Sequence, residues 1–228
     1  MIYLAPFSIG RHGASQAPHT ILGIRNGETH YHPRIVEIPV NHHDAKVTNE
    51  NIEKVLQNKD KYLVLGGDHS ITTGIIRARA TEGPVHIVMF DAHTDDYESD
   101  YVDNVLPLHS GNWLKVVQDE NLVSGISMFT HRGKVPSEYN KPIPKFGRVH
   151  VTIDIDVVTP SEIGYATAYP EAGGCTLKRL LDDIESLNLG SASVTADFVE
   201  YDPTRDATQA GGFASSKIVS ALLTLIGA

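Results

Sequence analysis

Short hydrophobic runs alternate with turn-forming and charged residues along the whole chain. Seven of these runs are rich in β-branched and aromatic residues and are bounded by Gly, Pro or charged residues, a pattern typical of β-strands. Several are apolar at consecutive positions, which favours strands buried on both faces of a parallel sheet. The seven predicted strands are IYLAPF, RIVEIPV, KYLVLGG, VHIVMF, NLVSGISMF, RVHVTIDID and SASVTADFV.

Between these runs, apolar residues recur at helical spacing. The pattern predicts a helix after an N-cap at Thr48, a second over 70–80, and later helices over 177–187 and 218–225. Because predicted strands and helices alternate, the expected fold class is α/β, a three-layer α/β/α arrangement with a mostly parallel sheet. No repeat or linker interrupts the pattern, so we expect a single domain over 1–228.

Composition and charge narrow the functional classes. The 228 residues are 41% hydrophobic, enough for a substantial core, and carry a formal net charge of -9. This charge argues against nucleic acid or an anionic membrane surface as partners and favours a cationic ligand. Cys175 is the sole cysteine, so no intrachain disulfide can form. The N-terminus lacks the features of a signal peptide and no apolar run suits a membrane span, so we expect a cytoplasmic protein.

Side chains that bind metals follow four of the predicted strands. In open α/β sheets, ligands bind beyond the carboxyl ends of the strands, so these positions are candidates for one shared site. Successive side chains of an extended segment alternate, so residues two apart project to the same side. The candidates are Asp68 and His69 in GGDHS, Asp91, His93 and Asp95 in DAHTD, Asp154 and Asp156 in IDID, and Asp197 with Glu200 in DFVE.

Some of these clusters also have a structural explanation. GGDHS alone is compatible with a tight turn and a helix N-cap, and IDID alone with capping of a following helix, whereas DAHTD has few such explanations. Carboxylates gathered at one edge repel each other unless cations neutralise them, so the four clusters together predict a metal site. Imidazoles and carboxylates without a thiolate suit hard or borderline divalent ions such as Mn²⁺ better than structural zinc.

The motifs GGDHSITTG, DAHTD, IDIDVV, YPEAGG and DFVEYDP resemble, in the same order, those of the ureohydrolases, the arginase and agmatinase family. The resemblance implies an arginase-like eight-stranded parallel sheet, one strand more than the pattern predicts, and a homo-oligomer, either a trimer or a hexamer. It also implies two Mn²⁺ ions per subunit, with Asp91, Asp95 or Asp154 able to bridge them. The implied metal ligands are His69, Asp91, His93, Asp95, Asp154 and Asp156.

The resemblance further implies a reaction and residues that serve it. Family members cleave a guanidinium C–N bond with a metal-bridged hydroxide, because two metals that share a water lower its pKa. Glu171 in YPEAGG resembles the acidic residue that binds the guanidinium nitrogens, and His109 in PLHSGNW resembles the histidine that carries a proton to the leaving nitrogen. Asp95 is a further catalytic candidate. The alternatives are a surface histidine at a helix start for His109 and a solvated side chain for Glu171.

Two positions depart from the family pattern. Thr159 stands where the family has a third Asp before Pro, and it cannot supply the negative charge of that residue. After His109, SGNW replaces Gly-Thr-Pro-Phe, so the loop differs in composition. These departures keep a noncatalytic, metal-binding homologue open as an alternative.

The loop after DAHTD bears on the substrate. Its acidic residues Asp96, Glu98, Asp100 and Asp103 favour the ammonium group of agmatine over the α-carboxylate of arginine, although they could equally face solvent. We therefore expect a small cationic guanidino substrate, with agmatine first, cleaved to urea and putrescine as in polyamine biosynthesis. Asp96 and Tyr97 are the candidate substrate contacts.

Other substrates of this class stay open at this point. Arginine, guanidinobutyrate and formiminoglutamate-type compounds all present a similar reacting group. A substrate that bears a carboxylate calls for a positive group near the mouth of the site, and His131 and Arg132 in FTHRGKV are candidates for it.

Overall fold

The computed structural model describes residues 1–9, 13–28, 34–98, 107–129 and 135–227. Within these ranges, seven strands form one sheet in which each neighbouring pair is parallel, which confirms the predicted sheet. The strands are β1 (Ile2–Ala5), β2 (Ile35–Glu37), β3 (Leu63–Gly66), β4 (Val85–Phe90), β5 (Val123–Phe129), β6 (Arg148–Asp154) and β7 (Ser193–Val199).

The strand order is β2-β1-β3-β7-β6-β4-β5, so β3, β7, β6 and β4 are neighbours at the centre of the sheet. Asp154, the last residue of β6, pairs with Val199, the last residue of β7. Because parallel strands end at the same edge, whatever follows these four strands meets at one rim of the sheet. The candidate ligands of the sequence analysis come from these central strands.

Helices cover both faces of the sheet, which confirms the three-layer α/β/α class. On one face, Ile52 and Ile75 belong to the same buried cluster as Val64 of β3. The next residue, Leu65, belongs to a second cluster with Ile218 on the opposite face. The helices are α1 (Ala17–Glu28), α2 (Ala45–Leu56), α3 (Thr72–Arg79), α4 (Trp113–Asp119), α5 (Pro160–Ile163), α6 (Leu177–Glu185) and α7 (Ala210–Leu225).

The predicted start of α2 at Thr48 is wrong. Asp44 is the N-cap, and its Oδ1 accepts a hydrogen bond from the Val47 N–H at 3.0 Å. Thr48 lies one turn inside the helix, where its hydroxyl donates to the Asn41 carbonyl at 3.1 Å. Asp and Thr are both favoured at N-caps, so residue type alone does not distinguish the two positions.

Helix α1 is not predicted by the pattern, because Pro18 and Gly23 both lower helix propensity. Pro18 is tolerated since it lies in the first turn, where its missing N–H needs no partner. The helix is fixed by tertiary contacts, among them the buried Arg25 guanidinium that donates to the Ser216 carbonyl of α7 at 3.2 Å. Across the part of the chain that the structure describes, no helix is both long and apolar enough to cross a bilayer.

Candidate metal centre

Four candidate residues follow or end the four central strands. His69 begins a short 3-10 turn after β3, Asp91 comes directly after β4, Asp154 ends β6 and Glu200 comes directly after β7. All four side chains are buried at the carboxyl edge of the sheet. The convergence at one rim that the sequence predicts is therefore what the fold produces.

A first cluster surrounds the imidazole of His69. Its Nδ1 lies 3.1 Å from Asp91 Oδ2, 3.0 Å from Asp95 Oδ2 and 3.5 Å from Asp154 Oδ2. His69 Nδ1 and Asp91 Oδ2 are buried and have no hydrogen-bond partner within the described residues. Buried polar atoms normally have such partners, so two unpaired atoms that face each other fit the ligands of a bound cation. His69, Asp91 and Asp154 offer ligand atoms close enough to hold one metal ion.

A second cluster shares Asp91 with the first. His93 Nδ1 lies 2.8 Å from Asp156 Oδ2 and 3.7 Å from Asp91 Oδ1. Asp91, His93 and Asp156 offer ligand atoms for a further ion. Asp91 thus directs one carboxylate oxygen to each cluster, the arrangement that a bridging ligand requires. Of the six predicted ligands, Asp95 alone stands outside both groups, although its Oδ2 faces His69.

The electrostatics of the clusters also favour cations. Burial alone would lower the pKa of His69, but the carboxylates of Asp154, Asp91 and Asp95 close to its ring hold that pKa well above its usual value. Burial and the charges of Asp156 and Asp91 raise the pKa of Asp154 well above its usual value. Burial, with the charge of Asp91, raises the pKa of Asp95 to about 6. Divalent ions would neutralise these crowded carboxylates, and the oxygen and imidazole donors of the site fit Mn²⁺.

The backbone reason for this convergence differs from the prediction. The segments are not extended: Asp95 has φ of 50°, and Asp156 lies in the 3-10 turn Ile155–Val157. Instead, each leading carboxylate closes a tight turn, because Asp91 Oδ1 accepts the His93 N–H at 2.7 Å and Asp154 Oδ1 accepts the Asp156 N–H at 2.8 Å. The predicted alternation along extended segments is therefore wrong, although the residues that it selected do lie close together.

A cavity of about 280 Å³ opens beside the two clusters. Four carboxylates contribute to its described lining, which gives it a strongly acidic wall. Such a wall suits a cationic ligand better than an anionic one. The lining residues are His93, Asp95, Tyr97, His109, Ser110, Gly111, Asp154, Asp156, Thr167, Tyr169 and Glu200.

Glu200 is a strand-end candidate that the sequence analysis assigned neither to the metal ligands nor to catalysis. It lines the cavity, its Oε1 accepts the His69 N–H at 2.8 Å, and its φ of 66° is unusual for a residue with a side chain. Burial, followed by the charge of Asp68, raises the pKa of Glu200 to about 8. Strained backbone is concentrated at functional sites. Its place directly after β7 is the signal that put it among the strand-end candidates.

His109 lines the cavity, as its predicted role requires. It caps the short turn before α4, where its Nδ1 accepts the Gly111 N–H at 3.1 Å and its own N–H donates to Asn112 Oδ1 at 2.9 Å. With Nδ1 used as an acceptor, the neutral ring bears its proton on Nε2. The role as a proton carrier stays a prediction, and the helix-start position given as its alternative is also present.

The other predicted contacts lie in different surroundings. Glu171 is exposed, and its Oε1 lies 3.6 Å from His93 Nε2 at the rim of the site. Tyr97 lines the cavity with 54% of its surface exposed. Asp96 is absent from the described lining, because Tyr139 and Thr94 already donate to its two oxygens at 2.6 and 2.5 Å. Tyr97 and Glu200 thus line the described cavity, whereas Asp96 and Glu171 do not. The roles of Asp96 and Glu171 stay predictions.

Of the remaining residues singled out from the sequence, Thr159 and Glu98 lie within the described ranges and four others do not. Thr159 Oγ1 lies 3.2 Å from Ser161 Oγ at the start of α5. Glu98 pairs with Lys115 at 3.2 Å, which offsets one charge of the acidic loop. Asp100, Asp103, His131 and Arg132 lie outside the described residues.

The parallel sheet and the two clusters that share Asp91 are those of an α/β protein with a candidate two-metal centre. The chain belongs to the arginase family, whose model matches residues 1–141 and 130–224. Members of this family are hydrolases that act on guanidino or amidino compounds, so the predicted enzyme class is confirmed.

Curated relatives include both agmatinases and arginases. An agmatinase from Bacillus cereus is 32% identical over 213 residues, which cover 82% of this chain and 72% of that protein. A mitochondrial arginase from Medicago truncatula is also 32% identical, over 71% of this chain and 54% of that protein. The chain thus spans about half the length of the plant arginase.

Solved structures share the fold at lower identity. The formimidoylglutamase of Bacillus subtilis superposes with a TM-score of 0.81 at 20% identity, over 99% of this chain and 86% of that one. The proclavaminate amidino hydrolase of Streptomyces clavuligerus gives a TM-score of 0.79 at 22% identity, over 99% of this chain and 90% of that one. These similarities confirm the arginase-like fold.

Proposed function

We propose that this chain is a two-metal ureohydrolase that hydrolyses agmatine to putrescine and urea. The observation that supports this most directly is the acidic cavity beside two His/Asp clusters that share Asp91. The agmatinases among its relatives favour the substrate, since the one from Bacillus cereus matches 82% of this chain at 32% identity.

In this proposal, two Mn²⁺ ions occupy the clusters. His69, Asp91 and Asp154 hold one ion, with Asp95 facing it, while Asp91, His93 and Asp156 hold the other. Bound divalent ions supply a nucleophile near neutral pH by lowering the pKa of water, and they neutralise the buried carboxylates.

Glu200 binds the guanidinium group of the substrate. Its carboxylate lines the cavity, and burial with the neighbouring Asp68 raises its pKa to about 8. A bound guanidinium favours the ionised carboxylate and so stabilises the pair. Glu171 remains the alternative from the family resemblance, and its exposure gives it a weaker electrostatic effect on a bound cation.

His109 delivers the proton that the leaving nitrogen requires. Its ring lines the cavity, and the Gly111 N–H fixes the orientation of that ring through Nδ1. The proton on Nε2 is therefore the one presented away from this bond. To give up this proton without becoming an imidazolate, the ring must first take a second proton on Nδ1 from water, which displaces the Gly111 bond. Delivery from Nε2 then leaves the neutral ring with its proton on Nδ1.

Agmatine is preferred to arginine because of the charges along the cavity. Two divalent ions offset the four carboxylates assigned to them, and the guanidinium offsets Glu200. The described lining of the cavity contains no Lys or Arg to pair with the α-carboxylate of arginine, a group that agmatine lacks.

Urea release by the purified, Mn²⁺-loaded protein tests the proposal. Agmatine, arginine, guanidinobutyrate and formiminoglutamate are compared, the last also scored for ammonia, with a chelator-treated control. Metal-dependent urea from agmatine above the other substrates is expected. Faster release from arginine would keep the reaction and overturn the substrate, and inactivity on all four with both metals bound would favour a noncatalytic homologue.

A further inference from the structure

Trp113, the first residue of α4, contacts two of the candidate ligands at once. Its indole Nε1–H donates to Asp95 Oδ2 at 2.9 Å. Its ring lies against the imidazole of His69, with ring centroids 4.8 Å apart and planes inclined by 32°. The side chain is fully buried, so water does not compete for these contacts. Asp95 Oδ2 is also the atom that lies 3.0 Å from His69 Nδ1.

Backbone hydrogen bonds fix the same two segments together. The Leu114 N–H donates to the Asp95 carbonyl at 3.0 Å, and the Tyr97 N–H donates to the Gly111 carbonyl at 3.2 Å. Asp95 needs such support because its φ of 50° is unfavourable for a residue with a side chain. Of these three hydrogen bonds between the segments, only the one from Trp113 reaches the carboxylate of Asp95.

We propose that Trp113 is a positioning residue for the metal centre, which holds Asp95 by hydrogen bonding and His69 by ring contact. This inference rests on the proposed function, because Asp95 and His69 are taken as metal ligands. One lone pair of Asp95 Oδ2 accepts the indole N–H, which leaves the other directed at the cluster. Partners of this kind orient metal ligands, and their loss typically weakens metal affinity by about 10- to 100-fold.

The alternative is that Trp113 only fills space in the core, where it packs with Leu114 and Val117. The two roles differ in what they require of the indole. Packing needs a large ring, whereas positioning of Asp95 needs the N–H. Phenylalanine keeps an aromatic ring but cannot donate, so Trp113→Phe removes the hydrogen bond at the cost of some volume.

A second replacement removes the indole N–H while it keeps the volume of the side chain. Because Trp113 is the only tryptophan in the chain, growth of a tryptophan auxotroph on benzothienylalanine exchanges this residue alone. That analogue keeps the bicyclic shape and has sulfur where the indole has N–H. Tyr139→Phe is the matched control, because it removes a hydroxyl that donates to the neighbouring carboxylate of Asp96 at 2.6 Å.

Mn²⁺ affinity is measured for all four proteins by competition with a chelator. Both replacements of Trp113 are expected to weaken affinity by about 10-fold or more, with Tyr139→Phe close to wild type. Wild-type affinity in the benzothienylalanine protein would overturn the hydrogen-bond role, even if Trp113→Phe binds weakly. A wild-type protein that binds no Mn²⁺ would instead overturn the proposed metal centre, and this inference with it.

The emission of Trp113 gives a readout that is independent of turnover. Since the indole lies against His69, Mn²⁺ binding should change its fluorescence and saturate at the affinity found by competition. Constant emission while competition shows binding would contradict the placement of Trp113 beside the metal.

Discussion

His69 Nε2 lies 2.8 Å from the hydroxyl oxygen Oγ1 of Thr152, while the other ring nitrogen, Nδ1, faces the carboxylate cluster. The Thr152 hydroxyl donates to Asp197 Oδ1 at 2.6 Å, so it accepts the Nε2–H of His69. This order of donors leaves the Nδ1 lone pair directed at the carboxylate cluster. Asp197 also accepts from Thr72 at 2.7 Å and from His150 at 3.0 Å. Burial would raise the pKa of Asp197, but the bond from His150 keeps it below its usual value.

Thr152→Val should therefore weaken Mn²⁺ binding by about 10-fold, because His69 loses the partner that fixes its tautomer and orientation. Chelator competition measures the effect. Thr195→Val is the matched control: Thr195 contacts His150 Nδ1 at 2.9 Å, further from His69, and is equally buried. Equal losses in the two variants would show that the effect is general destabilisation of the sheet.

Asp91→Asn should lower the occupancy of both metal ions, because Asp91 belongs to both clusters. His93→Ala should mainly remove the ion of the second cluster, which contains His93 but not His69. Metal content per chain after dialysis, measured by elemental analysis, distinguishes the two. Two ions retained in Asp91→Asn would contradict the bridging position.

Glu200→Gln should reduce kcat/KM for a guanidino substrate on the order of 100-fold or more, the usual effect of removing one partner of a buried charged pair. Glu171→Gln is the matched comparison, since it makes the same change in a side chain with 51% exposure. A small loss in Glu171→Gln is expected. The reverse order would return the guanidinium contact to Glu171, the residue that the family resemblance selects.

Much of the fold was predictable, because burial on both faces of a parallel sheet leaves a strong signal in each strand. All seven strands were found from hydrophobic runs. The first turn of α2 was misassigned, since Thr48 and Asp44 are both suitable caps and only the surrounding structure selects Asp44. Helix α1 was missed because contacts such as that of Arg25 with α7, distant in sequence, offset its low intrinsic propensity.

The candidate site was predictable in composition but not in geometry. DAHTD identified Asp91, His93 and Asp95 by residue type, although the turn at Asp95 with φ of 50° could not be inferred from spacing. The hydrogen bond between His69 and Thr152 joins residues 83 positions apart, and one sequence gives no sign of such a pair. Asp197 was taken as a strand-end residue, yet it lies within β7, where it accepts the hydrogen bond from the Thr152 hydroxyl that in turn contacts His69.

The buried histidine of β4 should make stability depend on pH apart from the metal centre. Burial lowers the pKa of His86, which is 5% exposed and whose Nε2 lies 2.8 Å from Ser127 Oγ. In the unfolded chain a histidine has a pKa of about 6.5, so below that pH the unfolded state binds a proton more readily than the folded state does. The contribution of His86 is present above this pH and is lost as pH falls towards the folded pKa, with a slope of at most about 1.4 kcal/mol per pH unit.

His86→Gln removes this titration while keeping an N–H that can donate to Ser127. Urea unfolding of the metal-free proteins between about pH 8 and pH 5 should show wild type losing stability relative to the variant as pH falls below about 6.5. The difference between the two proteins cancels the titration of the carboxylate clusters, which they share. Curves that stay parallel over the whole range would mean that folding leaves the proton affinity of His86 unchanged, and that Ser127 accommodates the charged ring as well as water does.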